Sequence, residues 1–339
     1  MSNEIEKNML RDRAKPSNEI TDEMWAEVNS FNRNKVEEFL EESTHLSVHS
    51  QKQYKSALKI FYHWVHSTLG EKKLIYQIKK KDFMRFQNFL IRRGLSSNAV
   101  KLKRSAISSL NKYLINFYED EEEFATFRNF VEGVPNPVLN KTYEKVVLSL
   151  DEIDLIYKTL IDDKKYQELL GFMLLYTSGC RRGELIQVKK EVVDYEQVKD
   201  SQTGESKGYY MTNTVRGKGK GELGEQYPLL FDDKVKELMK LWLEQRGEDD
   251  NEFLFISKRN NQITQISTST VNYWFKEIFS DIVGRRVNPH ITRSSRSTHI
   301  LESGADIKKA QHLLRHKQSS TTEQFYDLRK DKDDLSGIF

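Results

Sequence analysis

A handful of polar residues in the second half of the chain have the types and spacing needed to act on a phosphodiester. Arg181 follows the apolar run Leu169–Tyr176 within Gly179-Cys180-Arg181-Arg182-Gly183-Glu184-Leu185. Lys218 stands in Gly217-Lys218-Gly219, His290 and Arg293 are three apart and share a helical face, His316 begins a polar segment and Tyr326 ends it. Two guanidiniums can grip non-bridging oxygens bidentately and hold the charge that grows in a phosphoryl-transfer transition state. A lysine on a glycine-rich turn can protonate a leaving oxygen, and histidines move protons near neutral pH. A tyrosine hydroxyl is a weak nucleophile until neighbouring cations stabilise its phenolate. Each residue also has a plainer use. Arg181 can pair with Glu184, Lys218 can be a solvated turn lysine, His290 can open a helix after Pro289, and Tyr326 can be an amphipathic aromatic.

Other signals lack a mechanism. Gly219-Lys220-Gly221-Glu222-Leu223-Gly224 has the dinucleotide spacing but lies between two extended runs rather than at a strand-to-helix turn, and no Gly-Lys-Ser/Thr phosphate loop occurs. His312 and His316 are four apart, yet Leu313 follows the first and no carboxylate stands in ligand register. The single cysteine, Cys180, cannot form an intramolecular disulfide or a cysteine-rich zinc site. No carboxylate cluster is spaced for a metal, so the expectation is a site without metal or cofactor in which arginines take the cationic role.

These residues need elements to position them. At 339 residues, the chain has the length of about two domains. Its 37% hydrophobic content supports a core, and 31% charged residues with five prolines suit a mainly helical protein. No stretch has the length and apolarity of a signal peptide or a membrane span, which makes the cytoplasm the default compartment. Residues 1–30 are weakly patterned and read as a flexible arm or a short docking helix. From 31 to 131 the apolar spacing predicts four helices, with Ser97 as an N-cap of the fourth. Residues 132–148 carry Gly133, Pro135 and Pro137 without a period and read as a linker. Ser149 opens a second domain, 149–326, whose one extended region is about 208–230, and 327–339 form a tail. The fold class is mainly α with a small antiparallel β-sheet.

The net charge of +3 is small, but its distribution is uneven. Fifteen lysines and arginines from Lys52 to Lys112 are opposed only by Glu71 and Asp82. Such a face fits the phosphate backbone of a nucleic acid. Lys52, Lys55, Arg92, Arg93, Lys101, Lys103 and Arg104 are its candidate contacts, joined by Arg182 and Arg315 from the second domain.

In kind and order, these boxes resemble the tyrosine recombinase (phage integrase) family. The Gly-x-Arg-x-x-Glu-Leu box is met by Gly179, Arg181, Glu184 and Leu185, the hairpin lysine by Lys218 with Pro228-Leu229 downstream, and the His-x-x-Arg box by His290–Arg293. Leu313-Leu314-Arg315-His316 and the segment ending at Tyr326 complete the set. The helices in "SVHSQKQYKSALKIFYHWV" and "SSNAVKLKRSAISSLNKYL" resemble the family's SAM-like core-binding domain. The resemblance implies a C-shaped clamp on double-stranded DNA. It implies Tyr326 as nucleophile forming a 3′-phosphotyrosyl bond, with Arg181, Arg293 and His316 on the phosphate. Lys218 would be the general acid, His290 would handle the tyrosine proton and Glu184 would buttress the arginines. It implies no ATP or metal, a free monomer that forms a tetramer on its DNA sites, accessory proteins as a further partner class, no membrane, and a tail that docks on a neighbouring subunit. A type IB topoisomerase-like enzyme and a non-catalytic DNA-binding regulator are the other two classes. The chain departs from the family pattern at Ser294, where a second histidine is usual, and at Arg315, where glycine is usual. His316 to Tyr326 is also one residue longer than the usual interval.

Overall fold

The computed structural model describes residues 19–138, 146–217, 225–260 and 262–315. They fall into two compact units divided between Glu144 and Lys145.

The first unit is helical: α1 (Asp22–Glu27), α2 (Ser30–Glu42), α3 (Val48–Leu69), α4 (Lys80–Arg92) and α5 (Ser97–Phe117). Ser47 caps α3 by accepting the Ser50 N–H at 3.1 Å, and Gly70, with φ 105°, stops it. The cap of α5 is Ser96, which accepts the Ala99 N–H at 3.1 Å. The expected cap, Ser97, is instead the first helical residue and is buried. Phe61, Phe83, Phe86 and Phe130 form the centre of an aromatic core, with the Phe61 and Phe86 rings 4.9 Å apart edge to face.

Of the two readings offered for residues 1–30, a flexible arm or a short docking helix, residues 22–28 follow the second: Trp25 and Val28 are buried, and the Trp25 indole donates to Glu37 Oε1 at 3.1 Å. The start of the supposed linker is also held, because Val134 is buried and Gln87 donates to the Pro135 carbonyl at 3.0 Å.

The second unit is built around α7 (Tyr166–Ser178), whose residues Leu169–Ser178 are all buried. It packs against α6 (Leu150–Asp162), α9 (Asp233–Arg246), α12 (Pro289–Glu302) and strand β2 (Gln226–Phe231). A helix apolar all round belongs at the centre of its domain. Ser149 opens α6 with a capping box: its Oγ accepts the Glu152 N–H at 3.1 Å and its own N–H donates to Glu152 at 2.8 Å. After the one-turn helix α8 (Arg182–Leu185), β1 (Tyr210–Arg216) and β2 (Gln226–Phe231) pair antiparallel, with a bulge between Met211 and Thr214.

A second hairpin, β3 (Ile256–Arg259) with β4 (Gln262–Gln265), corrects the expectation of a single extended region. Its strands have four residues each and are mostly polar, too short to show a period against the helical background. Then come α10 (Thr268–Tyr273), a π-helical turn at Trp274–Phe279, α11 (Ser280–Val283), α12, and α13 (Ile307–Leu314). Among the described residues no helix is long and apolar enough to cross a membrane.

Candidate active site

The site begins where the buried helix α7 ends. Gly179 turns the chain with φ 60°, and a Cβ there would stand 2.7 Å from Leu314 Cδ2. Only glycine supplies both the left-handed backbone and this close approach. The turn delivers Arg181 to the N-terminus of α8. There the Arg181 backbone N–H donates to Glu184 Oε2 and its NH1 donates to Glu184 Oε1, both at 2.9 Å. The Glu184 side chain is only 3% exposed against 32% for Arg181, so the carboxylate is sunk while part of the guanidinium reaches solvent. A buried carboxylate is tolerable because its oxygens are saturated, and the Tyr227 hydroxyl adds a third bond to Oε1 at 2.8 Å. Burial, then the Glu184 charge, pushes the Tyr227 phenol up to about 12, so it stays a donor.

Among the described residues Arg293 is the largest fully buried side chain, at 1% exposure. It projects from α12, which Asn288 caps by accepting the His290 N–H at 3.0 Å. Its NH1 donates to the Gly179 carbonyl and its NH2 to the Leu314 carbonyl. Arg293 thus ties the turn before Arg181 to the end of α13, joining two of the boxes singled out in the sequence. His290 lies one turn earlier on the exposed side of α12. Partial burial of its ring, then the charges of Arg182, Arg293 and Arg181, hold its imidazole below the ordinary value. Those charges place His290 in the same cationic neighbourhood and favour its neutral form. Arg182 is exposed and donates to Asn272 Oδ1.

Arg315, another of the expected DNA contacts, packs on the main hairpin. Its guanidinium lies 4.1 Å from the centre of the Tyr227 ring and its NH2 donates to the Pro228 carbonyl at 2.6 Å. Ser294 only returns its hydroxyl to the His290 carbonyl at 3.3 Å, and Thr292 is buried and bonded to the Pro289 carbonyl. Lys218, His316 and Tyr326 lie outside the described residues. Gly217 is the last described residue before Lys218, and its N–H donates to the Glu225 carbonyl at 2.7 Å, extending the hairpin by one pair. Gln187 fixes that end of the hairpin: it accepts the Arg216 N–H at 2.9 Å and donates to the Arg216 carbonyl at 3.0 Å.

In the first unit, Lys52, Lys55 and Arg92 are exposed on α3 and α4, while Arg93, Lys101 and Lys103 are half-buried. Burial holds the Lys103 ammonium below its ordinary value. Arg104 turns inward: it donates to the Val134 carbonyl at 2.8 Å and to Gln87, and lies 5.4 Å from the Phe83 ring. Arg104, one of the expected DNA contacts, thus braces residues 134–135 within its own unit. Sequence reading missed Tyr227 and Gln187. The one signal for Tyr227 was a hydroxyl-bearing aromatic directly before Pro228-Leu229; Gln187 gave none.

Residues 146–332 match the phage integrase family, and residues 33–117 match the phage integrase N-terminal SAM-like domain. The chain is 39% identical, over the whole of both chains, to the SPbeta prophage-derived recombinase-like protein YomM of Bacillus subtilis. It is 31% identical to the tyrosine recombinase XerA of Thermococcus onnurineus, covering 73% of this chain and 77% of that one. Among solved structures, the Tn1549 transposon integrase with transposon right end DNA matches at a TM-score of 0.63 and 16% identity, over 87% of this chain and 94% of that one. The XerH recombinase bound to its palindromic difH substrate matches at 0.63 and 18%, over 87% and 81%.

Proposed function

The chain belongs to the phage integrase family, and from that premise we propose that it is a site-specific tyrosine recombinase that exchanges DNA strands through a 3′-phosphotyrosyl intermediate. The observation that carries the residue assignments is the meeting of Arg181, Arg293 and His290 in one cationic neighbourhood, reached from segments more than a hundred residues apart. Arg181, whose guanidinium is partly open, binds the scissile phosphate. Arg293 holds the floor of that pocket and adds its charge to the transition state. Tyr326 attacks phosphorus, the P–O bond to the 5′-oxygen breaks, and Lys218 gives that oxygen its proton. His290, kept neutral, takes the tyrosine proton, and His316 adds a donor to the phosphate. The phosphotyrosyl bond conserves the energy of the broken linkage, so rejoining is the reverse attack by a 5′-hydroxyl. Recombination joins two duplexes, which suits a tetramer of this chain on its DNA sites. The compartment of action is the one that holds the DNA, the cytoplasm.

A duplex nicked close to the cleavage site traps the covalent intermediate by letting the short leaving strand diffuse away. Wild-type protein is expected to form an SDS-resistant adduct on such a duplex, and Tyr326→Phe to form none. An undiminished adduct with Tyr326→Phe would overturn the nucleophile assignment. A monomer that relaxes supercoils without recombinant product would replace the recombinase reading with a topoisomerase-like one.

A further inference from the structure

Arg315 closes α13 with φ 54° and ψ 46°, a left-handed conformation that strains any residue with a Cβ. Its guanidinium is also partly withdrawn from water, which disfavours the charge. A side chain held at two costs should be making contacts that a glycine could not make. Its guanidinium stacks 4.1 Å from the Tyr227 ring centre, and its NH2 donates to the Pro228 carbonyl at 2.6 Å. The Tyr227 hydroxyl in turn donates at 2.8 Å to Glu184 Oε1, the oxygen that also receives Arg181 NH1 at 2.9 Å. Gly217 lies against the same phenol: a Cβ there would stand 2.2 Å from the Tyr227 oxygen. One phenol ring is thus touched by the end of α13, the end of β1 and the carboxylate that holds Arg181.

We propose that Tyr227 and Arg315 are positioning residues for strand cleavage: Arg315 fixes the Tyr227 ring, Tyr227 orients Glu184, and Glu184 aims Arg181 at the scissile phosphate. This relay rests on the recombinase reading given above. It treats Arg315 as a clamp rather than a phosphate contact, because one face of its guanidinium and one of its nitrogens are committed to β2.

The test is single-turnover cleavage of the nicked duplex at saturating protein, with DNA affinity and melting temperature measured in parallel. Arg315→Gly relieves the backbone strain and is expected to stay folded. Its affinity should remain within about twofold of wild type while its cleavage rate falls about tenfold. Tyr227→Phe, which keeps the ring and loses only the hydroxyl, should show the same split. Arg315→Lys, which can still donate to Pro228 and face the ring, should recover a large part of the rate. The double variant Tyr227→Phe/Arg315→Gly should cleave no more slowly than the worse single one, because both act through Glu184. Wild-type cleavage by Arg315→Gly, or losses that multiply in the double variant, would overturn the relay. So would a loss of affinity that matches the loss of rate, which would make Arg315 a phosphate contact. An active wild type with unaffected variants sinks the relay alone, whereas a wild type that forms no adduct sinks the functional reading and the relay with it.

Discussion

At the scale of single residues, the site depends on a few positions that accept one side chain. Gly179 and Gly183 lie four apart in the same box yet differ sharply. Gly179 has φ 60° and Leu314 Cδ2 at 2.7 Å from where a Cβ would sit, whereas Gly183 has open space around it. Gly179→Ala should therefore destabilise the protein by about 1–2 kcal/mol from the left-handed backbone, with the contact against Leu314 added. Gly183→Ala should be neutral or slightly stabilising. Thermal unfolding of the two variants checks this, and equal melting temperatures would contradict the geometry. Residue types alone were enough to single out Arg181, His290 and Arg293 as candidates. Their different burial was not legible. That Arg293 is sunk on two backbone carbonyls while Arg181 reaches solvent follows from which helix ends meet, and residue spacing does not encode that.

At the scale of elements, the long helices and the main hairpin were legible because most bury one periodic face and α7 is a continuous apolar run. The hairpin β3–β4 was not, since four mostly polar residues per strand carry no period. Elements also hold one another through residues without an obvious signature. Gln187, just after α8, makes two hydrogen bonds to the Arg216 backbone, and Asn213 returns a bond to the Gln187 carbonyl at 3.1 Å. This lattice fixes the hairpin end that leads to Lys218. Gln187→Ala should cost about 1 kcal/mol of stability per lost bond. It should also slow cleavage of an ordinary phosphodiester more than cleavage of a 5′-bridging phosphorothiolate, whose thiolate leaves without a proton. Equal slowing of both substrates would mean that Gln187 does not act through the general acid.

At the scale of the whole molecule, the two units have separate cores, and the second contains a buried ion pair. Arg246 and Asp249 have side chains only 1% and 4% exposed, and Arg246 also donates to the Phe253 and Asn251 carbonyls. The Arg246 hydrogen bonds hold the Asp249 carboxyl down at about 2, against an ordinary 3.8. A carboxyl depressed on folding contributes stability above its unfolded value and loses it as pH falls through the folded one. Asp249 should therefore supply about 2 kcal/mol at neutral pH, roughly half of that at pH 3, and little below pH 2. The melting-temperature gap between wild type and Asp249→Asn should be widest at pH 7 and shrink below pH 4. A gap that stays constant to pH 3 would show that the carboxylate charge is not the cause. The basic face of the first unit shows the limit of reading charge from sequence. The surplus is plain in the residue counts, whereas the bond from Arg104 to the Val134 carbonyl is not.

The bonds from Arg293 to Gly179 and Leu314 also bear on synthesis. They span 114 and 21 residues of sequence, so the pocket closes only when α7, α12 and the end of α13 are all present. Contacts of such long range form late. A chain still emerging from the ribosome has its basic helical unit long before its last turn of α13. An interrupted chain that stops short of Leu314 leaves Arg293 without its second carbonyl anchor.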